Sequence, residues 1–223
     1  HESRPQQLAM ASAVAAAMDK RSHLLVEAGT GVGKSFAYLV PAIRRVLLHQ
    51  ERVVVATNTI ALQEQLIHKD IPFLISTLGD WGVPEPIAAT LRPVLVKGRG
   101  NYVSIRRLEL ATSRALSLFP GIAERDSLDI INEWARETLD GSLSTLPAVP
   151  RPGVWDRVQS DSANCMGRKC SKYESCFYQK SRREMEMGNL LVCNHAVFFA
   201  DLALRSRGAG FIPAYHHVIL DEA

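Results

Sequence analysis

The run Ala28-Gly29-Thr30-Gly31-Val32-Gly33-Lys34-Ser35 holds more chemistry than any other part of the sequence. Glycines free the backbone to aim successive N–H groups at an anion, Lys34 supplies a cation that reaches the β and γ phosphates of a nucleotide, and Ser35 offers a hydroxyl to Mg²⁺. Ala28 stands where the strict pattern has glycine, so this is the relaxed form of a phosphate loop. At the other end, Asp221-Glu222-Ala223 follows the apolar run Val218-Ile219-Leu220 and sets two carboxylates at the end of a strand. Alone such a pair is more often a solvated turn. Beside a phosphate loop, Asp221 becomes a Mg²⁺ ligand and Glu222 a group that orients the attacking water.

Cys165, Cys170 and Cys176 are close enough in sequence to meet at one metal centre. An iron–sulfur cluster, a zinc site and three structural thiols all remain open on spacing alone. Cys193, the other cysteine, sits in an apolar stretch and reads as a small core hydrophobe, with a reserve role as replacement ligand. No secretion signal is readable, so the thiols point to a reducing compartment rather than to a disulfide framework.

The net charge of +3 is concentrated in two places. Lys97, Arg99, Arg106 and Arg107 lie in a stretch without acids, and Arg168, Lys169, Lys172, Lys180, Arg182 and Arg183 are opposed by Glu174 alone. Two such patches suit a polyanion, or are solvated faces that bind nothing. At 223 residues, 47% apolar and 22% charged, the chain has the make-up of a soluble globular protein of one domain, or of one domain with an insert. No apolar run approaches the roughly 18 residues of a membrane span.

The elements that must position these groups follow from periodicity. Pro5 opens a helix with Leu8, Ala11, Val14, Ala15 and Met18 on one face. His23–Val26 reads as a short buried strand, 35–48 as a helix bent at Pro41, and 52–56 as a strand of continuous valines. Helical spacing resumes at Leu62 and Leu66. Helices near 103–118 and 126–139 precede a proline-rich loop at 147–153 and the cysteine region. Strands at 189–193 and 217–220 flank a helix at 196–204. The alternation predicts an α/β fold with a mostly parallel sheet, helices on both faces, and a helical, cysteine-bearing insert.

In this order the motifs resemble the XPD/DinG iron–sulfur branch of the superfamily 2 DNA helicases. Asp221-Glu222-Ala223 is similar to the opening of the Asp-Glu-Ala-His box, and Arg4-Pro5-Gln6-Gln7 to an adenine-reading motif with Gln7 as the contact. Ala56-Thr57-Asn58-Thr59 with Leu62-Gln63-Glu64-Gln65-Leu66 resembles a motif that contacts the single-strand backbone. Lys97-Gly98-Arg99-Gly100-Asn101-Tyr102 resembles the lead into the iron–sulfur insert, and Val192-Cys193-Asn194-His195-Ala196 the return to the core. Each also has a plainer reading: Gln7 as a surface residue, Thr57 and Thr59 as helix caps, and Asn194-His195 as a capped turn. Met10, Met18, Phe36 and Tyr38 read as core.

The resemblance implies a RecA-like motor lobe over 1–97 and 188–223, with an insert at 98–187, and a chain that runs on past Ala223 with histidine and a second motor lobe. It implies an ATP-dependent DNA helicase that hydrolyses ATP with Mg²⁺ and moves along single-stranded DNA, 5′ to 3′, to open duplexes and junctions in DNA repair. Lys34, Asp221 and Glu222 would be catalytic, Gln7 and residues 28–35 would hold ATP, and Ser35 and Asp221 would bind Mg²⁺. A 4Fe-4S cluster would rest on Cys165, Cys170 and Cys176, with Ser104 at the position where the family has its first cluster cysteine. It implies no membrane and a place on the bacterial nucleoid, or in the nucleus of a eukaryote. Another phosphate-loop enzyme, such as a nucleotide kinase, and a non-enzymatic nucleic-acid module with structural zinc stay open beside it.

Overall fold

The structure is a computed structural model that describes residues 4–29 and 31–222, so Thr30 and Ala223 lie outside the described residues. The chain divides into two compact units, one formed by Lys97–Glu184 and the other by the segments on either side of it.

The first unit begins with α1 (Pro5–Lys20), whose first turn takes Pro5 because no N–H is needed there, and which ends at Arg21 in the left-handed region. Helix α2 (Lys34–His49) runs unbroken through Pro41. Strand β1 (Val53–Thr57) is followed by α3 (Ile60–Gln65), one wider π turn (Leu66–Asp70), α4 (Ile71–Ser76), α5 (Glu85–Ala88) and β2 (Pro93–Val96). The second unit carries α6 (Ile105–Ser113), α7 (Ala115–Leu118), α8 (Ile122–Glu137), α9 (Pro152–Val158) and the start of α10 (Phe177–Met187). The chain then returns with β3 (Leu190–Asn194), α11 (His195–Arg205) and β4 (His217–Leu220).

The strands form one parallel four-stranded sheet in the order β2-β3-β1-β4, an arrangement consistent with a RecA-like α/β helicase lobe. Successive side chains of a strand point to opposite faces. Val53 and Val55 therefore pack with Leu39, Ile43, Val46, Leu190 and Val192 on one side, while Val54 and Ala56 pack with Leu191, Cys193, Val197 and Phe198 on the other. Both faces are buried, which is why β1 reads as uninterrupted valine instead of alternating with polar residues. The second unit has a core of its own, built on Val103, Leu108, Leu128, Ile131, Trp134, Val154, Trp155 and Val158.

Two expectations are corrected and one strand was missed. His23–Val26 forms no strand, and Leu25 is 97% exposed. A strand needs a neighbour to take its backbone hydrogen bonds, and among the described residues β4 pairs with β1 alone. The helix expected over 103–118 starts two residues later and breaks at Arg114, whose φ of −119° and ψ of 21° leave the helical region. Strand β2 was not anticipated, although Val94-Leu95-Val96 has the same continuous apolar character as β1.

Candidate nucleotide site and cysteine recess

The phosphate loop leads directly into α2. Gly31 (φ +81°) and Gly33 (φ +83°) take left-handed backbone conformations, which glycine adopts without the clash a Cβ would bring. At Gly33 the reason is also one of space, because a Cβ there would fall 2.2 Å from the Gln7 side-chain nitrogen. That nitrogen donates to the Gly33 carbonyl at 2.9 Å, and Arg4 Nη1 donates to the Gly31 carbonyl at 2.6 Å. Gln7 is thus tied to the loop and is not a free surface residue. Lys34 is the first residue of α2, so the positive end of the helix and the lysine cation lie at the same turn.

The acidic group arrives from β4. The Asp221 N–H donates to the Ala56 carbonyl at 2.9 Å, and its side chain is only 9% exposed. His195 Nε2 stands 3.2 Å from the same carbonyl, a bond that needs the ring proton on Nε2. Ala56, Asn194, His195 and Asp221 therefore gather at the carboxyl ends of three neighbouring parallel strands, where open α/β sheets bind their ligands. Glu222 is exposed and takes a left-handed φ of 59°.

Tyr38 connects loop and acid. Its hydroxyl donates to Asp221 Oδ2 at 2.8 Å. Burial pushes the Tyr38 phenol well above its ordinary value, and the Asp221 charge adds to the effect. Ser35 and Asp221 are both oxygen donors, and oxygen is the ligand type Mg²⁺ takes, so the pair fits that ion chemically. The sequence reading left Tyr38 in the core, and its ring is there. The hydroxyl's role has no sequence signal, since its partner lies far along the chain.

The remaining motif residues are local in their bonding. Thr59 caps α3 by accepting from the Leu62 N–H at 3.2 Å, and the Thr57 hydroxyl donates to the Thr59 carbonyl at 3.2 Å. Asn194 caps α11 by accepting from the Val197 N–H at 2.8 Å.

In the second unit Ser104, Cys165, Cys170 and Cys176 border a single recess together with Arg106, Arg107, Asp161 and Tyr173. The Gly167 N–H donates to Cys165 Sγ at 3.5 Å and, with Arg99 close by, holds that thiol below its ordinary value. Ser104 serves as the N-cap of α6, accepting from the Arg107 N–H at 3.4 Å. The thiols share the recess but do not close on a point: among the described residues no group of three or more His, Cys, Asp or Glu side chains is placed to hold a metal ion. Cys193 belongs to the other unit, fully buried, and burial pushes its thiol up to about 12. That is the core position expected of it.

The first basic patch is mostly engaged within the protein. Lys97 donates to the Ser142 and Ser144 hydroxyls, Arg106 to the Asn164 carbonyl, and Arg107 to the Gln159 and Asp156 carbonyls. The Arg99 guanidinium lies 3.8 Å from the centre of the Tyr178 ring. In the second patch Lys172 pairs with Glu109 at 2.6 Å, whereas Arg168, Lys169 and Arg183 are exposed. Among the described residues no helix is long and apolar enough to cross a membrane.

Residues 4–78 match the family described as DEAD/DEAH box helicase. Over 99% of its length the chain is similar, at 35% identity, to a protein of Escherichia coli (strain K12) named ATP-dependent DNA helicase YoaA, covering 32% of that protein. Over 96% of its length it is 34% identical to a Mycobacterium tuberculosis protein named ATP-dependent helicase DinG, covering 33% of it. A Photobacterium profundum protein named ATP-dependent DNA helicase DinG is 29% identical over 92% of the chain. The chain spans about a third of the length of these curated relatives.

Proposed function

We propose that this chain, which carries a DEAD/DEAH box helicase domain and is homologous over most of its length to YoaA and DinG proteins, is the first ATP-binding motor lobe of a DNA helicase. Its intact protein hydrolyses ATP, moves along single-stranded DNA and separates duplexes, acting at junctions and in a 5′ to 3′ direction. The observation that carries this reading is the junction of phosphate loop and acidic strand end. Tyr38, one turn past Lys34 on α2, touches the Asp221 carboxylate at 2.8 Å, so the loop's helix and the strand end meet.

In this reading the backbone of residues 28–33, Thr30 included, cradles the phosphates, and Lys34 neutralises the charge that grows on them during transfer. Ser35 and Asp221 hold Mg²⁺, Glu222 orients the attacking water, and Gln7 reads the adenine from beside the loop. Thr57 and Thr59 line the single-strand path, and the exposed Arg168, Lys169 and Arg183 grip phosphates without reading bases. A second motor lobe supplies the arginine that stabilises the transferring phosphoryl group. The protein works in the cytoplasm on the bacterial nucleoid, or in the nucleus of a eukaryotic cell, in DNA repair.

The test is nucleotide binding by Lys34→Ala and DNA-stimulated ATPase of the intact protein. We expect binding of an ADP analogue to fall to background in the variant and hydrolysis in the parent to rise with single-stranded DNA. Unchanged binding by Lys34→Ala sinks the assignment of the loop, and ATPase indifferent to DNA favours another phosphate-loop enzyme.

The iron–sulfur reading belongs to the second unit. Soft thiolates at Cys165, Cys170 and Cys176 around one recess, with Ser104 in the fourth place, fit an iron–sulfur cluster in donor type and are one thiolate short of a full set. A 4Fe-4S cluster would need those thiols to draw together, and when bound it would tie the α6 start to the 165–176 loop. Metal analysis of protein made without oxygen decides it. Iron with visible cluster absorbance supports the cluster, and zinc supports a structural zinc module instead.

A further inference from the structure

We propose that Tyr38 is a positioning residue for nucleotide-bound Mg²⁺: its hydroxyl holds the Asp221 carboxylate, so that the ion meets this oxygen donor already aligned. The proposal rests on the reading of Ser35 and Asp221 as Mg²⁺ ligands given above.

The geometry has an unusual economy. Ser35 and Tyr38 are three residues apart on α2, the spacing at which two helical side chains share a face. Asp221 comes from a segment distant in sequence and follows directly on strand β4. A phenol hydroxyl has one proton to give and two lone pairs to receive. Here the proton goes to Asp221 Oδ2 at 2.8 Å. The helix that carries Ser35 therefore also holds the acid assigned to the ion.

A buried tyrosine needs a partner for its hydroxyl in any case, and a backbone carbonyl would serve. Tyr38 is 2% exposed and packs with Met18, Leu39, Ile43 and Val55, contacts that phenylalanine would make equally well. The hydroxyl is what distinguishes the residue, and it is spent on the acidic group. Asp221 has need of such a hold. Its backbone is fixed by the bond to Ala56, but Glu222 turns away immediately with a left-handed φ, so the sheet does not continue past it. A carboxylate left to sample rotamers would lose that freedom on capturing the ion, a cost the Tyr38 bond has already met.

Tyr38→Phe keeps the ring and removes the bond to Asp221. The experiment measures binding of a fluorescent ADP analogue to the chain, with Mg²⁺ titrated in one series and EDTA present in the other, and thermal melting to follow the fold. The Mg²⁺ concentration for half-maximal enhancement should rise about tenfold, the size of one hydrogen bond to a charged group, while affinity in EDTA stays within about twofold. In the Asp221→Asn background, Tyr38→Phe should add nothing further, because its effect runs through that carboxylate. A folded Tyr38→Phe protein with the original Mg²⁺ response overturns the proposal, as does an equal loss with and without Mg²⁺, or an undiminished effect in the Asp221→Asn background. Parent chain that binds the analogue no better with Mg²⁺ than in EDTA overturns the assignment of the Mg²⁺ ligands itself, and the proposal with it.

Discussion

Ser104 is asked to do two things that compete. Its side chain accepts from the Arg107 N–H and starts α6, and it borders the recess of Cys165, Cys170 and Cys176 at the place where the resembling family has a cysteine. Thiol sulfur is a weak acceptor, so a cysteine there caps poorly but binds iron well. Ser104→Cys should therefore lower the stability of the metal-free protein by about 1 kcal/mol, the usual worth of an N-cap, and raise iron per chain in protein prepared anaerobically. Melting with a chelator present checks the first half, and iron content with visible absorbance checks the second. A fall in melting temperature with no gain of iron leaves Ser104 a cap and removes it from the ligand set.

At the scale of elements, the corner between α11 and β4 sets the strand that carries Asp221. Asp201 is fully buried on α11 and receives the N–H groups of Phe211 at 2.7 Å and Ile212 at 2.8 Å, while its other oxygen pairs with Arg205 at 2.5 Å. One carboxylate thus accepts from two successive N–H groups of the loop and from Arg205. Asp201→Ala removes that shared acceptor and should cost about 3 kcal/mol. Chemical denaturation checks the loss. The same substitution should weaken Mg²⁺-dependent nucleotide binding more than binding in EDTA, because the register of β4 rests on this corner. A variant as stable as the parent would show that the loop finds its hydrogen bonds elsewhere.

For the whole molecule, pH enters at the opposite end of the strands. Glu51 accepts from His217 Nε2 at 2.8 Å and pairs with Arg45 at 3.0 Å. The bond from His217 first, and the Arg45 charge with it, hold the Glu51 carboxyl below its ordinary value of 4.5. A carboxylate with a depressed folded value binds protons less readily when folded. Its contribution to stability is present above the ordinary carboxylate range and is lost as pH falls through that range to the folded value. Denaturation midpoints should accordingly fall on acidification below about pH 5, and Glu51→Gln should flatten that fall. An identical acid limb in the variant would assign the effect to other carboxylates. A second expectation concerns activity and rests on the proposed reading, in which a second motor lobe supplies the arginine: residues 1–223 alone should bind nucleotide and turn it over negligibly, with or without DNA. Robust DNA-stimulated hydrolysis by the chain alone would contradict it.

Local chemistry was legible in the sequence. The phosphate loop, the paired acids after an apolar strand, the buried valine strand and the start of α1 at Pro5 depend on residues near each other in the chain, and so does the α/β alternation that sets the fold class. What the sequence could not supply depends on which distant groups meet. It did not reveal that Tyr38 spends its hydroxyl on Asp221, because the two lie at opposite ends of the chain and a tyrosine in an apolar helix looks like any core aromatic. It did not reveal that Arg106 and Arg107 of the first basic patch are tied to backbone carbonyls, since charge alone does not say where a guanidinium is aimed. His23–Val26 has the composition of a strand and is not one, because pairing requires a neighbour and composition cannot provide it. Cys193 was readable as core from its apolar flanks, whereas the common recess of Cys165, Cys170, Cys176 and Ser104 exists only through tertiary packing. Residue types and spacing determine the chemistry available to this protein, and the fold determines which partners each group reaches, because hydrogen bonds and ion pairs act over a few ångströms of space and not along the chain.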